Sequence, residues 1–171
     1  MTETTGPAGG AEVRHAARVL LLDDADRLLL FEGIDPWEPQ TRFWFTPGGG
    51  AEDGESLEQA AHRELREETG LTGVDLGPLV WTRRNVFRFE GRHIDQHESY
   101  FLARVPRWEV DTSGFDEIEQ RAVLGHRWWT VPDLAATEDT VHPAALPARL
   151  ADLLVAGPPA SPLDLGYRAE H

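Results

Sequence analysis

Three glutamates, Glu64, Glu67 and Glu68, stand at spacings i, i+3 and i+4 near the end of the stretch GGAEDGESLEQAAHRELREETGL, which runs from Gly49 to Leu71. Side chains three and four residues apart on a helix are neighbours, so a helix here forces the three carboxylates together. Like charges that close repel. A divalent cation held by carboxylate oxygens relieves the repulsion, and chemistry on a phosphate chain needs such a cation to neutralise phosphoryl oxygens and place a water.

The surrounding residues supply the helix. Ser56 is a good N-cap, Gly54 sits in a turn context before it, and residues 57 to 69 hold no Pro or Gly until Gly70 ends the run. At about 100° per residue, with Glu64 as origin, Leu57, Ala60, Ala61 and Leu65 fall roughly between −40° and +100°. Glu67 and Glu68 fall at about −60° and +40° on the same wheel. The acids therefore share the apolar side, where an ionised carboxylate is costly unless paired or coordinated. A solvated, charged helix end is the alternative reading, and the wheel opposes it. Ahead of the helix, Pro47 and the glycines Gly48, Gly49 and Gly50 follow the apolar Phe43-Trp44-Phe45. They read as a loop whose backbone can come close to a ligand and turn a carbonyl toward a metal.

Gly49, Glu55, Arg63-Glu64-Leu65, Glu67, Glu68, Gly70 and Leu71 fit the pattern G-x5-E-x7-R-E-U-x-E-E-x-G-U, with U a bulky aliphatic residue, at every fixed position. In this the chain resembles the Nudix hydrolases. The resemblance implies an α/β fold of the α+β type, a mixed β-sheet sandwiched between helices, with the signature forming a loop-helix-loop. It also implies hydrolysis of a nucleoside diphosphate linked to another group, with Mg²⁺ or Mn²⁺ as cofactor. Carried over by position, Glu64, Glu67 and Glu68 are metal ligands, and the Gly49 carbonyl is a further one. Glu55 and Arg63 are supporting residues, with Arg63 orienting the carboxylates through charge-assisted hydrogen bonds.

Water attack on a phosphoanhydride also needs a base. In many relatives a glutamate outside the signature supplies it, and the segment Asp116-Glu117-Ile118-Glu119 is the place to look. Glu119 is the first choice, Glu117 the second, and a signature glutamate acting through bound water the third; a solvated loop is the structural alternative. Trp81, Phe87 and Phe89 alternate along one strand with Arg83 between them, a pattern that suits a base and a phosphate or, equally, a sheet core. His93, Asp95 and His97 share one side of a strand, as a polar hairpin face or, less simply, as metal ligands.

A chain of 171 residues with a net charge of −14 and no cysteine bounds the remaining choices. The length suits one core, and the lack of cysteine excludes disulfides, thiolate nucleophiles and Cys-based zinc sites. The acidity disfavours polymeric nucleic acid as a partner and would repel a nucleotide too, so metal ions and a few local arginines must reverse the field at the site. A small nucleotide or nucleoside diphosphate derivative as partner is what the resemblance implies. The longest apolar run, Val19 to Leu22, is far below the roughly 20 residues of a membrane span. A cytoplasmic location is the default, and a homodimer stays open.

Residues 1 to 10 read as a mobile leader, 11 to 156 as one domain, and 157 to 171, beginning Gly-Pro-Pro-Ala-Ser-Pro, as a poorly packed tail. Strands are expected at Val13 to Leu22 and Arg27 to Phe31 around Asp23–Asp26, and at Phe43 to Thr46. A hairpin follows at Leu79 to Phe89 and Arg92 to Val105 around Glu90-Gly91, then a strand at His126 to Val131 and a closing helix at Pro143 to Val155. The intact signature favours a pyrophosphohydrolase. A non-hydrolytic enzyme on the same fold, such as a diphosphate isomerase, and a nucleotide-sensing module are the competing functions.

Overall fold

Strands with apolar side chains on both faces need cover on both sides. Such runs occur at Val19–Leu22 and Leu28–Phe31, all buried, in β1 (Glu12–Leu22) and β2 (Leu28–Ile34). The turn between them is held by Asp23, whose carboxylate accepts from the backbone N–H of Ala25 (3.0 Å) and Arg27 (2.9 Å) and from Arg27 Nε (2.7 Å). The protein is described here by a computed structural model covering residues 10–34, 38–89 and 91–169.

After β2 come β3 (Arg42–Phe45), β4 (Gly48–Gly50) and helix α1 (Leu57–Thr69). The long hairpin β5 (Leu76–Phe89) and β6 (Arg92–Arg104) follows, then α2 (Glu117–Ala122) and β7 (Val123–Trp129). The chain closes with α3 (Val131–Ala136), β8 (Val141–His142), α4 (Leu146–Ala156) and β9 (Leu163–Ala169). The sheet runs β8-β3-β2-β1-β6-β5-β9, with β4 on β1 and β7 on β2. It is mixed: β1 with β6, β3 with β8 and β5 with β9 are parallel, and the other pairs are antiparallel.

Alternation along β1 divides the core in two. Ala17, Val19 and Leu21 meet Ala60, Ala61 and Leu65 of α1, whereas Leu20 and Leu22 face the cluster that holds Leu134 of α3 and Leu146, Leu150 and Leu153 of α4. Helices therefore cover both faces, giving the expected α/β/α sandwich.

Several elements depart from the sequence reading. The glycine loop is a short strand, β4, pairing Ala17 with Gly49 and Arg18 with Gly48. Gly48 has φ +136°, and a Cβ there would overlap the carbonyl oxygen of Ala17, so only glycine lets the two backbones approach. The Glu117–Glu119 segment is a helix rather than a loop, because Asp116 caps it. The late strand starts at Val123 and stops at Trp129, since Thr130 caps α3 with Pro132 in its first turn. The closing helix starts at Leu146. The expected loose tail carries a strand: residues 163–169 lie parallel on β5. Residues 1–9 of the leader read at residues 1 to 10, and the turn residue Glu90, lie outside the described residues.

Candidate active site

Helix α1 is fixed at both ends by its own sequence. Ser56 Oγ accepts from Gln59 N (3.1 Å) while Gln59 Oε1 accepts from Ser56 N (2.9 Å), a reciprocal cap, and Gly70 ends the helix at φ +78°. With Ala60, Ala61 and Leu65 against β1, the same face buries Glu64 and Glu68. Glu68 Oε2 accepts the N–H of Gly48 at 3.0 Å. Gly49 lies so close to Glu64 that a Cβ would overlap Oε1 of that carboxylate. The sequence reading thus placed these two acids on the right side of the helix.

Arg63 holds the rim together. Its guanidinium donates to both carboxylate oxygens of Glu55 (2.9 Å each), to Glu64 Oε1 (2.9 Å), to the Gly50 carbonyl (3.0 Å) and, at 3.4 Å, to Glu67 Oε2. Hydrogen bonds from Arg63 hold the Glu55 carboxyl down at about 2. Glu55 in turn raises the guanidinium above its ordinary range.

Glu119 arrives from α2, far along the chain. The segment that delivers it is tied to the C-terminal end of α1: Trp108 Nε1 donates to Thr69 O (2.9 Å), and Asp111 N donates to the same carbonyl (3.0 Å). Gly114 passes so close to the backbone of Glu67 that a side chain would collide with it. Phe115 then packs edge-on against Phe31, with ring centroids 5.7 Å apart. Asp116 Oδ1 accepts Glu119 N (2.8 Å) and starts α2 with Glu119 turned toward α1.

Carboxylate oxygens of Glu64, Glu68 and Glu119 lie within 4.8 Å of one another. Burial raises the Glu68 carboxyl well above its usual range; the charges of Glu64 and Glu119 add to this, while Gly48 N–H and Arg18 oppose it. Burial likewise lifts Glu119 to about 7, with the charges of Asp116 and Glu64 contributing. Three mutually repelling carboxyl groups, two of them buried, form a donor set of hard oxygens that fits Mg²⁺ or Mn²⁺. Glu67 stands outside this trio, half-exposed and linked to Arg63, and Glu117 is exposed.

On the other side of Gly48 a cavity of about 890 Å³ opens over the second face of the sheet. Gly48 connects the two: its N–H serves Glu68, and its carbonyl accepts from Arg18 Nη1 (3.2 Å). Arg18 also pairs with Glu98 (3.3 Å), a buried acid that Arg83 reaches at 3.4 Å and to which Gln96 and Tyr100 donate at 2.9 Å each. Burial alone would raise Glu98, but Arg18 and Arg83 outweigh it and hold the group ionised. The chain's 16 basic side chains are all arginine. Arg18, Arg83, Arg88 and Arg168 line this cavity against one carboxylate, Glu98, so the local field opposes the net charge of −14. Sequence reasoning singled out Arg83 and Phe87 but missed Arg18, Glu98, His142 and Arg168. One signal was there: an arginine in the middle of the buried apolar run of β1 demands a partner.

The helix that carries the acids packs on β1, at the centre of the mixed sheet, and on the glycine strand β4. A sequence model of the NUDIX domain matches residues 13–150, and the chain belongs to the Nudix hydrolase family. Among its relatives, an RNA pyrophosphohydrolase of Aliivibrio fischeri is 39% identical over 97 residues, 50% of this chain and 55% of that protein. The chain spans about half the length of the Aliivibrio relatives it matches. An RNA pyrophosphohydrolase of Sphingopyxis alaskensis is 30% identical over 140 residues, covering 76% of this chain and 84% of that one. Among solved structures, a NUDIX hydrolase from Nitrosomonas europaea superposes with a TM-score of 0.65 at 20% identity over 95% of this chain and 82% of its own. The E. coli dihydroneopterin triphosphate pyrophosphohydrolase gives 0.60 at 20% identity over 85% and 99%. At these identities the likeness is one of fold.

Proposed function

We propose that the protein is a metal-dependent pyrophosphohydrolase that cleaves the phosphoanhydride of a nucleoside diphosphate derivative by attack of water. The observation that carries this reading is the convergence of Glu64, Glu68 and Glu119 from two separate elements within 4.8 Å, beside an arginine-lined cavity. Glu64 and Glu68 would hold Mg²⁺ or Mn²⁺ beside Glu119, with Glu67 and the Gly49 carbonyl as further ligands. When bound, such an ion neutralises phosphoryl oxygens and lowers the pKa of water.

The chain's own groups divide the remaining work. Glu119, brought beside Glu64 and Glu68 by α2, takes the proton from the attacking water as general base. Arg63, bonded to Glu64 at 2.9 Å and fixed by Glu55, keeps that carboxylate aimed. Arg18, held by Glu98 and the Gly48 carbonyl, stands at the passage from acids to cavity and meets the phosphate chain. The cavity takes the nucleoside part. A cytoplasmic location accompanies this reading. No helix among the described residues is long and apolar enough to cross a membrane.

RNA bearing a terminal phosphoanhydride is the second reading, favoured by the printed activity of the Aliivibrio and Sphingopyxis relatives. The net charge of −14 weighs against gripping a long RNA by its phosphates. The test is release of phosphate or pyrophosphate from nucleoside triphosphates, nucleotide sugars, dinucleoside polyphosphates and triphosphate-ended RNA, with Mg²⁺ or Mn²⁺. Turnover of small nucleotides supports the first reading, turnover of RNA alone the second, and silence across the panel contradicts both.

A further inference from the structure

Glu98 of β6 is buried on the cavity face of the sheet, beside Ala16 of β1, whereas the next residue of β1, Ala17, faces α1. Both of its carboxylate oxygens are taken up by neighbours. Oε1 accepts from Arg18 Nε (3.3 Å) and Gln96 Nε2 (2.9 Å), and Oε2 accepts from Arg83 Nη1 (3.4 Å) and the Tyr100 hydroxyl (2.9 Å). A carboxylate has about four lone-pair sites, so none is left for a metal or a substrate. Whatever Glu98 contributes to the site must pass through its partners. Stability alone does not call for the group, since a buried ion pair is often no more stabilising than apolar side chains of the same volume.

Among those partners, Arg18 reaches toward the acids. Its Nη1 donates to the carbonyls of Thr46 (3.4 Å) and Gly48 (3.2 Å), one on each side of the Pro47–Gly48 peptide. The N–H of that peptide is the one that Glu68 Oε2 accepts at 3.0 Å, and its carbonyl accepts Val19 N at 3.0 Å. Gly48, Gly49 and Gly50 have no Cβ to restrict them, and Gly48 is held at φ +136°, so this stretch keeps its shape only where outside groups grip it. Val19 grips the middle carbonyl and Arg18 the two beside it. Besides Glu98, Glu68 is the carboxylate whose charge acts on Arg18. A guanidinium released from Glu98 would turn toward Glu68 and compete with a cation there.

We propose that Glu98 is a positioning residue for the metal site on the opposite face of the sheet: it aims Arg18 at the Thr46 and Gly48 carbonyls, which fixes the Gly48 N–H against Glu68 and keeps the guanidinium off that carboxylate. This rests on the metal-dependent reading above and extends it to a side chain that touches none of the clustered acids. A change of charge inside the cavity is then felt as a change of metal affinity across the sheet.

The probe is Mn²⁺ alone, titrated by calorimetry into the full metal-free chain at pH 7. Glu98→Gln keeps the size of the side chain and removes its charge. It should weaken Mn²⁺ binding about tenfold, the lower end of the range for lost outer support of a metal ligand. In the same metal-free variant the Gly48 amide resonance should move, a readout that needs no ion. In an Arg18→Met background, adding Glu98→Gln should leave Mn²⁺ affinity within about twofold, the scatter of independent sites. Glu98→Asp keeps the charge but withdraws it by one methylene; it should also weaken Mn²⁺, and it takes the place of Glu98→Gln if thermal melts show that variant unfolded. Equal Mn²⁺ affinity in wild type and a folded Glu98 variant, an unmoved Gly48 amide, or the same loss in the absence of Arg18 overturns the proposal and leaves the hydrolase reading standing. A wild type that binds no Mn²⁺ overturns both.

Discussion

Replacing Arg63 with Met keeps the aliphatic stem and removes the guanidinium that binds Glu55, Glu64 and the Gly50 carbonyl at 2.9–3.0 Å. Hydrogen bonds to charged groups contribute about 1.5–3 kcal/mol each in mutational series. The Arg63 side chain is 16% exposed and that of Glu55 15%, so solvent screens part of this. A net loss of about 2 kcal/mol at pH 7 is the expected size after that discount. With a urea slope of about 1–3 kcal/mol per molar, the unfolding midpoint should fall by roughly 1 M. The pH dependence gives the sharper check. The Glu55 carboxyl is depressed to about 2 from its ordinary 4.5, so its stabilisation is present above 4.5 and disappears as pH falls toward 2. In Arg63→Met, Glu55 titrates normally and has nothing to lose. The stability gap between wild type and variant should therefore narrow steadily below pH 4.5. Urea unfolding of both proteins from pH 7 to pH 3 measures it. A gap that stays constant with pH, or that is absent at pH 7, refutes the assignment of Arg63 as the clamp of this rim.

Other outcomes follow from the same geometry. Glu119→Gln should lower turnover by about 10²–10⁴-fold, the usual contribution of a positioned base, while the exposed Glu117→Gln stays close to wild type in the same steady-state assay. Glu68→Gln should raise the melting temperature of the metal-free protein at pH 7, because a carboxyl whose pKa is raised by burial and by Glu64 destabilises the fold when ionised. The same change should reduce the further rise produced by Mg²⁺, which a thermal melt with and without the ion will show. Gly49→Ala places a methyl against the Glu64 carboxylate, and calorimetry should find Mn²⁺ affinity lower by about 10-fold, in the range for disturbed support of a metal ligand.

Helix α1 was fully legible in the sequence because its signals are local: a cap at Ser56, a stop at Gly70 and an apolar stripe between them. The burial of Glu64 and Glu68 follows from that stripe, and their neighbour spacing from helical geometry. The hairpins were legible for the same reason, as alternating or apolar runs set apart by polar turns. What escaped depends on contacts between distant segments. Strand β4 exists only because Gly48 can lie against Ala17, a fact about two backbones rather than one sequence window. Strand β9 has no apolar run of its own, and it forms by pairing with β5, where Tyr167 lies beside the guanidinium of Arg84. The cluster of Arg18, Arg83, Gln96 and Tyr100 around Glu98 appears only once β1, β5 and β6 are in register. Glu119 was nominated by position, yet what seats it is the Trp108–Gly114 segment packed on the end of α1.

Manganese gives the most direct test of the central claim, that the inward-facing acids exist to hold a cation at the mouth of the nucleotide cavity. Crystals soaked in Mn²⁺ and measured for anomalous scattering should show density bounded by the carboxylates of Glu64, Glu68 and Glu119. Density that appears only at other acidic groups, or an empty cluster at saturating Mn²⁺, would contradict the account.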